Sequence, residues 1–571
     1  MQRTQPTRPV RMIPFVQSSF AGGINTALPS ELVADNEAVD ILNFEFADDD
    51  HLRTRAGAQL WQLSPDGDIT DQFPGRITSI HYYENDFGEI FVLVTSGKKL
   101  FASSNFNPEM NDITSTINLS LLQDTLWQWR NWQGLAIGVN RSILDTNPVQ
   151  FDGITAAQLP NAPKAKYLEI WNERLWLVSA ENPNTIYGSG LGNPSDWTVD
   201  GADDAVILDV GKNDGDKITG IYAFRGSLYV FKRTKIYIIS ALNGSIPTDV
   251  GNLFVDIYAT NIGCISPYSI QAVLDDVLFL SDSGVASLVS APLGELKTAL
   301  VSQKVKELKS ILKTSQEVPS LVIEHANQYW LLVPSNQSPR GTAEVYVLDV
   351  RRIQEQIIRW VRFEGPVAGT AACNIYVNGT RSVLIAGEDR KLYQYFPQLV
   401  FRAGKWDAGT WDVSFWDDEN NSHAFYDGQE VNVVKQRILT KTYDFNSPFV
   451  YKLFHRLGVN VSLISDDVLL KLVYHFDKNL LRGDEYNFQF NRTPDLSVWD
   501  MGVWDTSKWD GPYNVIEDFI ALRQFKRGVA RKAQNVTFEL TNYHNRGLVI
   551  KDLLVYAAPL NMHHVNDIGI V

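Results

Sequence analysis

Apolar runs broken by tight-turn residues recur through the first two thirds of the chain, and their order repeats. Each unit has an apolar run, a short turn, a second run, another turn, and a third run with an aliphatic–aromatic pair. It is clearest in ITSIHYYENDFGEIFVLVTSGKKLFAS from Ile77, KYLEIWNERLWLVSAENPNTIYGS from Lys166 and ITGIYAFRGSLYVFKRTKIYIIS from Ile218. Further copies begin at Tyr268, Pro319 and Cys373, with a weaker one at Leu126. Their starts fall about 40–55 residues apart, the period of propeller blades. The runs are rich in Ile, Val, Tyr, Phe and Trp, which suit a pleated, half-buried surface. Arg225-Gly226, Ala326-Asn327, Asn378-Gly379, Ser96-Gly97 and Ser283-Gly284 separate them. Gly and Asn there supply the positive φ of tight hairpins. One such unit cannot bury both faces of its sheet, and radial closure solves that. The chain is therefore expected to be all-β, with a β-propeller of about six or seven blades over 71–400.

The pairs Leu100-Phe101, Ile186-Tyr187, Ile236-Tyr237, Val345-Tyr346 and Leu392-Tyr393 hold one place in their units. That place predicts blade packing, not chemistry. Before the repeats, residues 1–70 read as an arm that adds a strand to the last blade. Within it, ADNEAVDILNF predicts a short helix capped by Asp35. A second helix, an insertion at about 294–315, is predicted because Leu296, Leu300, Val305, Leu308, Ile311 and Leu312 share one face.

From about residue 401 the repeat gives way to alternating β runs such as HRLGVNVSLI and VLLKLVYHF, predicting a C-terminal antiparallel, sandwich-like domain over 401–571. It holds two triplets with a period of five, Trp406, Trp411 and Trp416, then Trp499, Trp504 and Trp509, each Trp followed by Asp. Packing within short β-arcs, a partner interface and glycan stacking are the three readings of these segments.

Composition removes several classes. Of 571 residues, 44% are hydrophobic and 20% charged, a globular balance. Cys264 and Cys373 are the only cysteines, too few for a disulfide framework, so both are expected to be reduced core thiols in a reducing compartment. No apolar run reaches the length of a membrane helix, and the opening MQRTQPTRPVRMIPF lacks the apolar core of a secretory signal. The net charge of −15 opposes general nucleic-acid binding. Charge is also unevenly placed. Arg3, Arg8 and Arg11 lie in an acid-free stretch, Asp48, Asp49 and Asp50 end an acidic one, and Arg523, Lys526, Arg527 and Arg531 form a basic window. Together with the six triplet tryptophans, these are the candidate interface residues.

Catalytic signatures are missing: the sequence has no GxGxxG, Walker loop, HExxH, GxSxG or CxxC. Asn213–Asp216 and Asp48–Asp50 lack the spaced ligands of a calcium loop, and His563-His564 lacks a third metal ligand. No catalytic residue, metal or cofactor is expected, and the chain is read as a non-enzyme.

The opening carries a family resemblance. Phe20, Gly22, Gly23 and Asn25 form an F-x-G-G-x-N phrase, followed by Asp35 to Ala38 with Asn43, then Leu52, Arg53, Arg55 and Gly57 in an L-R-x-R-x-G phrase. This order resembles tail nozzle proteins (tail tubular protein B-like) of short-tailed bacteriophages, as do LYVFKRTKIYII and NIGCISPYSIQAVLDDVLFLSDSGV in mid-chain. The resemblance implies a virion structural protein of a podovirus, assembled in the host cytoplasm as a homohexameric ring below the portal-proximal adaptor. Tail fibre, spike or needle proteins are the other implied partners, and double-stranded DNA passes through the lumen at ejection. A receptor- or glycan-binding tail module, with or without glycan cleavage, is the alternative.

Overall fold

The chain's repeats fold into antiparallel stacks, and the turns show why. At Arg225 and Gly226 both φ angles are positive, 48° and 77°, the signature of a two-residue hairpin turn that follows the strands' own twist. The computed structural model describes residues 13–61, 72–104, 110–114, 126–140, 147–199, 203–241, 252–293, 299–311, 317–377, 380–396, 426–427, 432–464, 467–481, 483–491, 518–525, 532–542 and 547–560. They divide into two compact units, one of 58–358 and 363–397, the other of 1–57, 359–362 and 398–571.

The first unit is the propeller. Blades 1 to 4 are four-stranded sheets whose first strands are Ile77–Glu84, Trp127–Trp132, Ala165–Trp171 and Ile218–Phe224. Blade 5 has three strands, starting with Gln271–Val273. Next comes the stack Ser320–Ile323, Gln328–Val333 and Glu344–Asp349. The last blade joins Ala371–Val377, Thr380–Ala386 and Leu392–Tyr395 to Ala58–Leu60. Six blades are thus self-contained sheets, and the stack makes seven radial elements. First strands of neighbouring elements adjoin in sequence order, Ile218–Phe224 and Gln271–Val273 through the bond from Ala272 N–H to Tyr222 Oη, and Ala371–Val377 returns to Ile77–Glu84, closing the ring. The strand from the arm pairs Ala58 with Tyr395 and Leu60 with Tyr393, fastening the last blade as expected. The aliphatic members of the repeated pairs, Leu100, Ile186, Ile236, Val345 and Leu392, are all 0% exposed. They fill the faces between blades.

The second unit is built from both ends of the chain. Lys452–Leu463 and Leu548–Pro559 run antiparallel, flanked by Asp518–Gln524 on one side and by Leu52–Thr54 and then Phe44–Phe46 on the other. Ile13–Gln17 also pairs with Leu548–Pro559. A second set runs Glu37–Leu42, Gln436–Tyr443, Val536–Asn542, Asp467–Phe476, Gly483–Asn491. Rings from the two sheets meet: Phe15 with Tyr443 at 5.1 Å and Phe454 with Phe476 at 5.1 Å.

One expectation is corrected. The segment read as a capped helix is the strand Glu37–Leu42. Its buried residues lie on both faces, with Ala38 and Ile41 0% exposed, so a one-sided helical stripe does not describe it. Of the predicted insertion helix, residues 294–298 and 312–315 lie outside the described residues; Ala299 is α-helical, a 3-10 turn follows at Lys306–Lys309, and Val305, Leu308 and Ile311 are buried from it and the adjoining turns. Through residue 57 the arm belongs to the unit completed by the C-terminal strands.

Candidate functional site: an N-terminal clasp and an axial polar ring

The three opening phrases converge on one another. Gly22 N–H donates to Asn36 O at 2.8 Å, and Asn25 N–H to Ala38 O at 2.8 Å. The Asn25 amide also donates to Glu37 Oε2 at 2.6 Å. Arg55, 0% exposed, donates from Nε to Asn43 Oδ1 at 2.9 Å, while Asn43 Nδ2 donates to Lys435 O at 2.7 Å. Arg53 pairs with Glu45 at 2.7 Å. Buried polar groups persist only when bonded, so these residues specify each other.

Residues 359–362 are the object this network holds. Arg359 is fully buried; its Nη1 lies 2.5 Å from Asp50 Oδ1 and its guanidinium 4.3 Å from the centre of the Phe46 ring. Arg362 forks onto Asp40, Nε to Oδ1 at 3.3 Å and Nη2 to Oδ2 at 2.9 Å, and its carbonyl accepts from Asn43 N–H at 2.8 Å. At Gly23, where φ is +73°, a side chain would stand 2.8 Å from both the N and the O of Trp360. The chain continues on either side of this segment into the propeller unit.

Around the propeller axis the first strands carry polar side chains that bond across blades. His81 Nε2 lies 2.6 Å from Asn131 Oδ1, and Asn131 Nδ2 donates to Tyr82 O at 3.1 Å. Arg130 forks onto Glu169, at 3.1 and 2.9 Å. Ala272 N–H donates to Tyr222 Oη at 3.1 Å, Gln271 Nε2 to Ser320 O at 3.0 Å, and Asn374 Nδ2 to Val322 O at 2.7 Å. Burial holds the His81 imidazole down at about 4, and the Arg130 guanidinium pushes the same way against the bond to Asn131. Within it His81 is neutral at pH 7 and the Arg130–Glu169 pair is matched.

The loop Asn213–Asp216 is filled by the protein itself. Lys232, 0% exposed, sends its ammonium to Asp214 Oδ1 and Oδ2 at 3.0 Å, Gly211 O at 3.0 Å and Asn184 Oδ1 at 3.1 Å. Burial pushes Asp214 up, but bonds from Asp216 N–H, Lys232 and Tyr237 outweigh it and leave the carboxyl at about 2. A lysine stands where a calcium reading would put the ion. Among the described residues no cluster of His, Cys, Asp or Glu is arranged to hold a metal. Cys264, buried, and Cys373, half-buried, are both free, and desolvation drives each thiol up to about 12, which keeps it protonated at pH 7.

Four of the charged interface candidates are described. Asp48 and Asp49 lie in the turn after Phe44–Phe46, with Asp49 accepting from His51 N–H at 3.3 Å. Asp50 is committed to Arg359. Arg523 lies over the Phe488 ring at 5.4 Å, on the strand at the opposite edge of the same sheet from Asp48–Asp50. The structure therefore separates these charges and does not join them. Arg3, Arg8, Arg11, Lys526, Arg527, Arg531, all six triplet tryptophans and His563-His564 lie outside the described residues. Sequence reasoning missed Arg359, Arg362 and Lys232. Their partners are hundreds of residues away or spread over a loop, although the shared place of His81, Arg130, Glu169 and Tyr222 in successive repeats was readable.

No protein-family model and no curated protein sequence matches the chain. Solved structures do. A catalytically inactive virginiamycin B lyase from Staphylococcus aureus, bound to quinupristin, is 12% identical over 59% of this chain and 98% of its own, with a TM-score of 0.36. The Swd1 β-propeller domain of Myceliophthora thermophila is 9% identical over 57% and 98%, at 0.34. The Pan2 WD40 domain of Neurospora crassa is 10% identical over 62% and 98%, at 0.33. The chain is similar to these in fold alone: it is a β-propeller protein, and the likeness goes no further.

Proposed function

We propose that this chain is a structural component of a short bacteriophage tail, a nozzle subunit forming a closed ring, most simply of six copies, through which DNA leaves. The observation that carries this reading is the clasp. The first two family-like phrases bond through Gly22 to Asn36 and Asn25 to Glu37 and Ala38, and the second and third through Arg55 to Asn43. Asp48 and Asp49 at one edge of a sheet and Arg523 at the other supply opposite charges for head-to-tail contact, the geometry that closes into rings. With −15 per copy, the assembly repels the phosphates of a passing duplex more than it grips them. Adaptor, fibre, spike and needle proteins belong to the same proposal.

Electron microscopy of the full chain, alone and with a portal-proximal adaptor ring, tests it. The expected result is a closed ring with an open lumen. A chain that stays monomeric in both, or one that shortens host-envelope polysaccharide, overturns the reading.

A further inference from the structure

Strand alternation gives the sheet that carries Lys452–Leu463 an inner and an outer face. Leu457, Val459 and Val461 are 0% exposed, and their cross-strand neighbours turn the same way, toward the second set of strands. There Phe519 meets Phe490 at 6.1 Å, Phe15 meets Tyr443 at 5.1 Å, and Arg523 lies over the Phe488 ring. The residues between them form the outer face. Registers set these in rows across the strands, with Leu522, Gly458, Leu554 and Val16 in the middle one. Ile520, Asn460 and Asp552 lie on one side of that row, and Arg456 and Tyr556 on the other.

The centre of this face is apolar and reaches water. Ile520 is 64% exposed, Val16 48% and Leu522 44%. At Gly458 the position a Cβ would take lies 2.5 Å from Leu522 Cδ2 and 3.4 Å from Leu554 Cδ1, so the two leucines lean together over bare backbone. Contiguous apolar surface of this kind marks a contact site. The flanks are polar and differ from each other. On one, Asn460 Nδ2 donates to Asp552 Oδ2 at 2.8 Å and orients the carboxylate, which receives no other donor among the described residues. On the other, Arg456 is exposed, and its guanidinium makes neither a hydrogen bond nor an ion pair among the described residues. Two lysines complete the picture. Lys532, opposite Leu453, adds a cation on the Arg456 side, while Lys551, bulged out beside Asp552, is already engaged.

We propose that this face packs against the same face of a second copy of the chain, about a twofold axis that runs along the row of Gly458. Such an axis lays the apolar row on itself and exchanges its two flanks. Arg456 of each copy then stands across from the Asn460–Asp552 pair of the other, within reach of an extended arginine over the roughly 10 Å between packed sheets. The face thus carries its own complement, a cation without a partner on one flank and a carboxylate open to one on the other. Self-complementarity of this kind is what an isologous contact requires, and a second copy supplies both halves at once. The contact lies within the β unit and is face to face, so it is separate from the head-to-tail contacts of the ring and does not rest on them.

Sedimentation equilibrium of the full chain over a wide concentration range tests this. A monomer–dimer equilibrium is expected, weakened at least about tenfold by Leu522→Glu, which buries an unpaired carboxylate in the contact. Arg456→Glu and Asp552→Lys, each alone, should also weaken it, because each sets like charges against one another at both ends of the twofold. Mixing these two variants should restore the dimer, since both ends then join opposite charges. All three positions are on the outer face, so the fold should survive, and circular dichroism checks that. Phe87→Ser, which removes a residue 89% exposed on the propeller, should change nothing. A monomer at every concentration, a dimer indifferent to Leu522→Glu, or charge-reversed chains that fail to recombine would each overturn the inference. A hexamer indifferent to all three substitutions would overturn it too, while supporting the ring.

Discussion

His81 lies flat against the indole of Trp129, ring centroids 5.9 Å apart and planes 16° from parallel. The indole Nε1–H is itself spent on Ser79 Oγ at 3.1 Å. The imidazole is thus held neutral on an aromatic face beside the Arg130 guanidinium. Its folded value, about 4, lies below the unfolded value of about 6.5. Between those values the unfolded chain binds more protons, so stability falls as pH drops from about 6.5 towards 4 and the loss levels off below. Melting curves of the parent and His81→Gln across pH 4–7 should separate: the parent loses more stability on acidification. Parallel curves would contradict the assignment.

Lys232→Met removes the cation from a cage of carboxylate and carbonyl oxygens. Breaking a buried pair by deleting one partner costs about 3–5 kcal/mol, and urea unfolding should show a loss of that order. Asp214, held low at about 2, adds a second sign: its contribution is complete above about pH 4 and is lost as pH falls towards 2. That acid-side loss should be missing in Asp214→Asn.

Gly23→Ala should weaken the clasp by about 1–3 kcal/mol from backbone conformation alone, and by more from the approach to Trp360. Arg362→Lys keeps the charge and loses the fork onto Asp40, which a single ammonium cannot replace. Limited proteolysis should find new cleavage near residues 359–362 in both variants, and none in Arg352→Lys, whose partner Glu355 is exposed.

Much of this architecture could be read from the residues, and what could not has a common cause. Strand order in the propeller followed from local grammar: Arg225-Gly226 forces a hairpin, and Ile236-Tyr237 marks a third strand wherever it recurs. Glu37–Leu42 was misread because Ala38, Ile41 and Leu42 satisfy a helical spacing as well as a strand buried on both faces. Only its neighbours, Gln436–Tyr443 and residue Arg362, decide between them, and they lie some 320 to 400 residues away. Arg362 and Asp40, 322 residues apart, are each unremarkable in sequence. Lys232 resembled any strand lysine until Asn184, Gly211 and Asp214 closed over it. Local chemistry was legible, and long-range polar partnership was not.

Removing residues 1–61 should lower the propeller's melting temperature, because Ala58–Leu60 completes its last blade and Trp61 N–H donates to Leu392 O at 2.8 Å. For a unit this large each kcal/mol lost moves the midpoint by about 2–4 °C. Calorimetry of the truncated chain should show the drop in the propeller transition, and an unchanged transition would mean that the strand decorates the blade without fastening it.

The joining of the chain's two ends also sets an order of events during synthesis. Thr54 donates to Leu548 O across 494 residues, and at roughly 5–20 residues per second a ribosome needs about 25–100 s to cover that interval. The propeller has all its strands once Tyr395 has emerged from the ribosome. Ile13–Gln17 must wait unpaired until the final strand, Leu548–Pro559, arrives, and Glu37–Leu42 lacks its antiparallel neighbour until Gln436–Tyr443 is made, so the interval of greatest risk from aggregation or host proteases lies in the last third of translation.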